Sequence, residues 1–187
     1  CRAAVDWAAA QSKPFSILHA HDWQAGLAPV YAAGRWPTVF TIHNLAFQGL
    51  FDKSWVPVLG LRWEDFNVDG FEFWDRLSFL KAGVMFSDVL TTVSPSYAQE
   101  IQRPEYGYGF EGIMRARAHA LVGILNGIDD TEWNPARDPH LPQPFTARDM
   151  SGKRAAKRAL LELYGLPVDD AAMARPDSLT IIGCGMS

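Results

Sequence analysis

Three clusters of hydrogen-bonding side chains stand out in this chain: His19-Ala20-His21-Asp22-Trp23, His43-Asn44 followed by Gln48, and Asn126-Gly127. Each follows a short apolar run. Imidazole, carboxamide and carboxylate groups beside an indole suit a polyhydroxylated ligand. The polar groups pair with hydroxyls, and the aromatic face covers the C–H side of a sugar. Asp22, Trp23, His43, Asn44, Gln48 and Asn126 make up this set. Taken singly, each has a plainer role: Trp23 as a first-turn helix residue in the core, Asn126-Gly127 as a turn. Their shared position at strand ends favours the joint reading.

Other chemistries fit less well. His19 and His21 lie two apart, so a strand would put both on one face, where imidazoles can approach a metal. The remaining candidates, His119 and His140, fall on a helix end and in an irregular stretch, so a hydrogen-bonded His19 under the sheet edge is preferred and no metal site is assigned. A metal-dependent hydrolase is thereby the third reading. No glycine-rich nucleotide loop follows the first strand, and no Walker-type loop or G-x-S-x-G elbow exists. Tyr106-Gly107-Tyr108-Gly109 has no strand before it and reads as a flexible loop. Ser94 is explained by capping a helix, not by nucleophilic attack.

Positioning these groups requires strands alternating with helices. A helix-like stretch opens the chain (Ala3 to Ala10). Phe15–Leu18 reads as the first strand, ending in His19 to Asp22. A helix then runs from Asp22 as N-cap to Gly34. Thr38–Ile42 is the second strand, and Leu45 to about Gly70 an aromatic loop region. Leu77, Leu80, Lys81 and Val84 give helical spacing over Trp74 to Phe86. Asp88–Val93 is the third strand, with Ser94 capping and Pro95 starting a helix to about Gln102. Leu121–Leu125 is the fourth. Unbroken apolar strands between helices predict an α/β fold, a Rossmann-like parallel sheet covered on both faces. Ligands of such sheets bind outside the carboxyl ends of the strands, where the three clusters lie.

From Trp133 to Phe145 prolines at 135, 139, 142 and 144 mark a linker. Ser151 to Tyr164 is a basic amphipathic helix closed by Gly165, followed by a loop from Pro167 to Asp177 and a strand over Leu179–Ile182. The expected layout is residues 1–146 as most of one domain with its linker, and 147–187 as the start of a second. Beginning at Cys1 inside a helix and stopping just after a strand, the chain reads as a piece of a longer protein. Its 187 residues are 48% hydrophobic and 20% charged with net charge −4, which excludes disorder and gives no electrostatic case for nucleic acid or an anionic membrane. No apolar run reaches the roughly 18–20 residues of a membrane span. The two cysteines, Cys1 and Cys184, suggest neither a disulfide framework nor a metal knuckle, so a reducing cytoplasm fits.

Seven blocks then give a specific resemblance: His19-Ala20-His21-Asp22-Trp23-Gln24-Ala25-Gly26-Leu27, Thr41-Ile42-His43-Asn44-Leu45-Ala46-Phe47-Gln48-Gly49, Ser78-Phe79-Leu80-Lys81-Ala82-Gly83, Thr92 to Ile101, Tyr108-Gly109-Phe110-Glu111-Gly112, Leu125-Asn126-Gly127-Ile128-Asp129 and Trp133-Asn134-Pro135. In this order they resemble bacterial glycogen synthase and plant starch synthase, glycosyltransferases of the two-Rossmann-domain (GT-B) kind. The resemblance implies an incomplete N-terminal, acceptor-side domain followed by the start of the nucleotide-sugar domain. It implies a retaining transfer of glucose from ADP-glucose to the non-reducing end of an α-1,4-glucan, without metal or other cofactor. On matching positions, His43 would meet the transferring glucose near its 6-hydroxyl and the reaction centre. Asn126 would hold the same sugar, and Asp22, Trp23 and Asn44 would line the acceptor side, with Gln48 beside them. The partners implied are a nucleotide sugar and the glucan. The location implied is the cytoplasm of a bacterium, or the plastid if the source is a plant.

The family's diphosphate-binding lysine-and-glycine motif would precede Cys1, and its second-domain arginine, lysine and glutamate would follow Ser187. Without those cations the departing diphosphate lacks its electrostatic clamp, so the chain alone is expected to be inactive and poorly soluble although its parent is an enzyme. A UDP-glucose-dependent relative and a non-catalytic glucan-binding module are the alternatives.

Overall fold

The computed structural model of the chain describes residues 1–169 and Met173. Most of the loop expected over 167–177 and all of the strand expected over 179–182 lie outside the described residues. By internal contacts the chain divides into two units, Cys1–Asn126 and Gly127–Ser187.

The first unit opens with α1 (Arg2–Ala9), an amphipathic helix that buries Val5. The first strand, β1, is Leu18–His21, displaced toward the C-terminus from the apolar run that predicts it. Phe15 and Ile17 remain exposed, because pairing with the next strand begins only at Leu18. His19 and His21 therefore lie within the strand instead of after it. The helix expected over 22–34 is two pieces, α2 (Asp22–Ala25) and α3 (Ala28–Ala32), with Pro29 in the first turn of the second. A proline there cannot donate to a preceding turn, so one continuous helix is broken.

Strand β2 is Thr38–Ile42, as expected. The aromatic stretch after it is no mere loop. It holds β3 (Leu50–Asp52) and the helical turn α4 (Trp55–Val58), and β3 joins β4 (Glu72–Phe73) and β5 (Arg76–Ser78), which follow the stretch, in a small antiparallel sheet of order β3-β5-β4. Helix α5 (Phe79–Phe86) starts five residues later than the spacing from Trp74 predicts. Leu77 fits both periodicities, but it is buried from a strand. Lys81, fully sequestered, donates its ammonium to the carbonyls of Val68 and Glu72 and ties this excursion to α5.

Next come β6 (Val89–Thr92) and α6 (Pro95–Glu100), whose cap is the one expected: Ser94 Oγ accepts from the amide of Tyr97 at 2.9 Å. The Tyr106–Gly109 segment is not a free loop. It ends α7 (Pro104–Gly107), followed by left-handed Tyr108 and Gly109 and then α8 (Glu111–Ala116). Strand β7 is Leu121–Gly123, shorter than expected, although the Ile124 amide still reaches Thr92 O at 2.8 Å.

The main sheet is fully parallel in the order β1-β2-β6-β7. The α/β fold with a covered parallel sheet is thus borne out. β2 and β6 are central, and Phe40, Ile42 and Leu90 are fully buried beneath Leu80 and Val84 of α5. Gly83 exists in α5 because the Phe40 ring fills the space where a Cβ would sit, at 2.3 Å.

In the second unit the described chain is irregular from Gly127 to Asp149, in line with the proline-rich reading, and then forms α9 (Ser151–Leu163). Gly152 opens that helix hard against Pro144 O, and Gly165 follows it with φ +63°.

Candidate functional site

The parallel order places the C-terminal ends of β1, β2, β6 and β7 along one edge. At β2's end His43 leaves the sheet half-buried, flanked by β1 on one side and β6 on the other. Two neighbours fix it. The Oδ1 of Asp22 accepts from the His43 amide at 2.7 Å, and the Nδ1 of His21 lies 3.0 Å from the Nε2 of His43.

Asp22 achieves this from a left-handed backbone, φ +54°. It does not cap its own helix as its position predicts; His21 occupies the cap position, and the carboxylate reaches across to β2. An aspartate in the left-handed region is locally unfavourable. The bond to the neighbouring strand end offsets it.

His21 shares a face with His19, their ring centroids 4.2 Å apart, while its distance to His43 is 5.3 Å between centroids. His19 is hydrogen-bonded, as expected, through Nε2 to Thr41 Oγ1 at 2.7 Å, and Thr41 continues to Thr91 Oγ1 at 2.6 Å. It is exposed, however, and not hidden under the edge. Desolvation is the main cause holding the His21 pKa below its ordinary value, helped by the adjacent His19 and His43 rings and opposed by Asp22. Among the described residues no group of three or more His, Cys, Asp or Glu side chains is arranged to hold a metal ion.

The segment after His43 is held just as firmly. Asn44 is exposed, and its Oδ1 accepts from the Ala46 amide at 3.0 Å, closing an Asx turn. Leu45 is buried, and its amide donates to the phenol oxygen of Tyr97 at 3.0 Å. Burial raises the Tyr97 pKa, so the phenol stays neutral. Gln48 donates through Nε2 to Tyr108 O at 2.9 Å, and its own carbonyl accepts from Ser78 Oγ and the Leu80 amide.

Trp23 is half-buried, with its indole over Gly49 so closely that a Cβ there would sit 2.6 Å from the ring. Phe51 and Phe79 pack beside it at 5.9 and 6.5 Å. Much of its surface therefore belongs to the aromatic core, and the plainer reading accounts for part of this residue. Asn126 is exposed two residues beyond Ile124, and no hydrogen bond joins it to the His43 cluster. Its strand is two places from β2, about 10 Å at ordinary strand spacing.

The structure thus gathers Asp22, His43, Asn44 and Gln48 with Trp23 behind them, and leaves Asn126 farther along the same edge. Sequence reasoning missed His21 as a partner of His43, and Tyr97 as the support of the turn. For His21 the signal was its two-residue spacing from His19. For Tyr97 none exists, because a tyrosine in a helix gives no hint of which distant amide its hydroxyl will meet.

Residues 1–116 match the sequence profile of the starch synthase catalytic domain. The chain belongs to this family. The resemblance drawn from the seven blocks is borne out. Asp22, Trp23, His43, Asn44 and Gln48 fall inside the matched segment of the starch synthase domain, and Asn126 falls beyond it. The chain is 53% identical over 178 residues to the glycogen synthase of Anaeromyxobacter dehalogenans, covering 89% of this chain and 37% of that protein. It is 54% identical over 159 residues to that of Myxococcus xanthus, covering 80% and 33%. Among solved structures, the catalytic domain of starch synthase IV from Arabidopsis thaliana, bound to ADP and acarbose, superposes with a TM-score of 0.71 at 35% identity over 90% of this chain and 37% of that one. The chain spans about a third of the length of these relatives. No described helix is long and apolar enough to cross a membrane.

Proposed function

We propose that this chain is the acceptor-side part of a bacterial, cytoplasmic glycogen synthase. The whole protein moves glucose from ADP-glucose to the non-reducing end of an α-1,4-glucan with retention of configuration. The observation that carries the reading is the fixation of His43 from two sides at the sheet's carboxyl edge, by Asp22 on its amide and His21 on its ring, in a chain 53% identical to a glycogen synthase. The starch synthase neighbour, solved with ADP and acarbose, supports the reading of a nucleotide sugar and a glucan as the substrates.

On this reading His43 presents its ring to the hydroxymethyl side of the transferring glucose. Because one ring nitrogen is occupied by His21, the other nitrogen and the carbon edge are what a sugar meets. Among the described residues no hydrogen bond engages the Asn44 side-chain amide nitrogen or the second Gln48 heteroatom, which leaves both for acceptor hydroxyls. Asn126 holds the same sugar from the β7 side. Residues from 147 on open the nucleotide-sugar domain, whose cations would balance the departing diphosphate. Preorganised donors aimed at developing charge are worth about 3–4 kcal/mol each when removed singly.

The test uses the complete coding sequence. The purified protein is given radiolabelled ADP-glucose or UDP-glucose with maltooligosaccharide primers, and product length and anomeric linkage are read. Single α-1,4 additions from ADP-glucose are expected. Preference for UDP-glucose would replace the donor, and glucan binding without turnover would replace the enzyme by a binding module.

A further inference from the structure

Trp74 is the most exposed large apolar residue of the first unit, at 79% of its surface. It sits with Asp75 at the two central positions of the β4–β5 hairpin, with φ of +53° and +59°. Such a turn favours asparagine and glycine, and a tryptophan in it loses conformational energy without burying its ring. The turn is nevertheless rigidly held. Lys53 Nζ contacts both carboxylate oxygens of Asp75 at 2.7 Å, and Glu72 Oε1 accepts from the Asp75 amide at 2.7 Å. Neither burial nor turn propensity accounts for a tryptophan at this position.

Its surroundings lead back to the candidate site. The Phe73 and Trp74 rings meet edge to face at 6.1 Å, and the nearest atoms to a Cβ built on Gly109 are Phe73 Cζ at 3.3 Å and Trp74 Nε1 at 3.8 Å. Next to Gly109 stands Tyr108, left-handed at φ +50° and 60% exposed. Its carbonyl is the acceptor of the Gln48 side chain. The Trp74 ring thus lies beside the left-handed Tyr108–Gly109 turn, and the Gln48 side chain ties that turn to the segment that starts at His43.

We propose that Trp74 and Tyr108 form an aromatic platform for the growing α-glucan, binding sugar units of the acceptor chain outside the reaction centre. The inference rests on the acceptor being an α-glucan. The flat rings cover the C–H faces of successive sugars, and the bordering Lys53–Asp75 pair and Gln48 offer polar groups to their hydroxyls. The platform serves long acceptors only, since a short primer ends before reaching it.

Trp74→Asn tests this without endangering the fold, because asparagine is at home in that turn; its Tm is expected to equal or exceed that of the wild type. In the complete protein, the apparent KM for glycogen should rise about five- to tenfold, the range of one stacked aromatic contact. kcat, the KM for ADP-glucose and the KM for maltotriose should stay within about twofold. Tyr108→Asn should act in the same direction. An unchanged glycogen KM overturns the platform, as does a change of oligomeric mass in Trp74→Asn, which would make the indole a protein contact. Affinity electrophoresis in glycogen gives the same comparison without turnover. A wild type that shows no transfer but binds glycogen through Trp74 would sink the enzymatic reading and keep the platform.

Discussion

His21 Nδ1 and His43 Nε2 lie 3.0 Å apart across the ends of two adjacent parallel strands. One ring must donate and the other accept, so the two cannot both carry the full complement of protons. Any substrate that meets His43 meets a ring whose plane and tautomer are set by its neighbour.

This coupling has a signature in acid. The folded His21 ring, desolvated and next to two other imidazoles, takes up its proton less readily than the unfolded ring with its ordinary pKa of 6.5. The unfolded state therefore binds more protons as pH falls, and this part of stability is present above about pH 6.5 and lost on descending through the folded pKa. His21→Phe should lose less Tm than the wild type between about pH 7 and pH 5. Parallel Tm curves would contradict the assignment.

Asp22 serves His43 through an acceptor, not through charge alone. Asp22→Asn keeps an oxygen and tolerates the left-handed backbone, so the fold should survive nearly unchanged. Asp22→Ala leaves the His43 amide without its partner and should cost about 1–3 kcal/mol by chemical denaturation. Equal midpoints for the two variants would dismiss the bond.

The phenol of Tyr97 supports the same turn from the α6 side. Tyr97→Phe strands the amide of buried Leu45, and a loss of about 1–3 kcal/mol is expected in the urea midpoint, with m unchanged. A variant as stable as the wild type would mean that the amide finds water instead.

Gly26 lets α2 approach α5. A Cβ at this position would lie 1.9 Å from the Phe79 carbonyl, a backbone atom that cannot rotate away. Gly26→Ala should destabilise by at least about 3 kcal/mol, beyond the usual range for overpacking, and spread the Trp23–Phe79 pair. A shift in tryptophan emission alongside the lower Tm would report it; an unchanged Tm would refute it.

Much of this was legible in the residues, for reasons that differ from element to element. Thr38–Ile42 is legible because a strand buried on both faces is an uncharged run of β-branched and aromatic residues. Ser94-Pro95 fixed the start of α6 because cap and first-turn chemistry are local. The antiparallel sheet of β3, β4 and β5 has no sequence signature, since strands of two or three residues are too short to show alternation. Leu77 misled because position 77 satisfies a helical spacing while sitting in a strand. At the site, His43 and Asn44 could be placed at a strand end from pattern alone. What Asp22, His21 and Tyr97 do there depends on partners 21, 22 and 52 residues away. Local rules assigned Asp22 a capping role that the tertiary structure overrides.

The most direct test of the account is primer-dependent ADP release from ADP-glucose by the complete protein, wild type against His43→Ala, with folding checked by circular dichroism. The account predicts release that requires glycogen and falls at least about a hundredfold in the variant, roughly 2.7 kcal/mol of transition-state stabilisation. A folded His43→Ala protein as active as the wild type would contradict it.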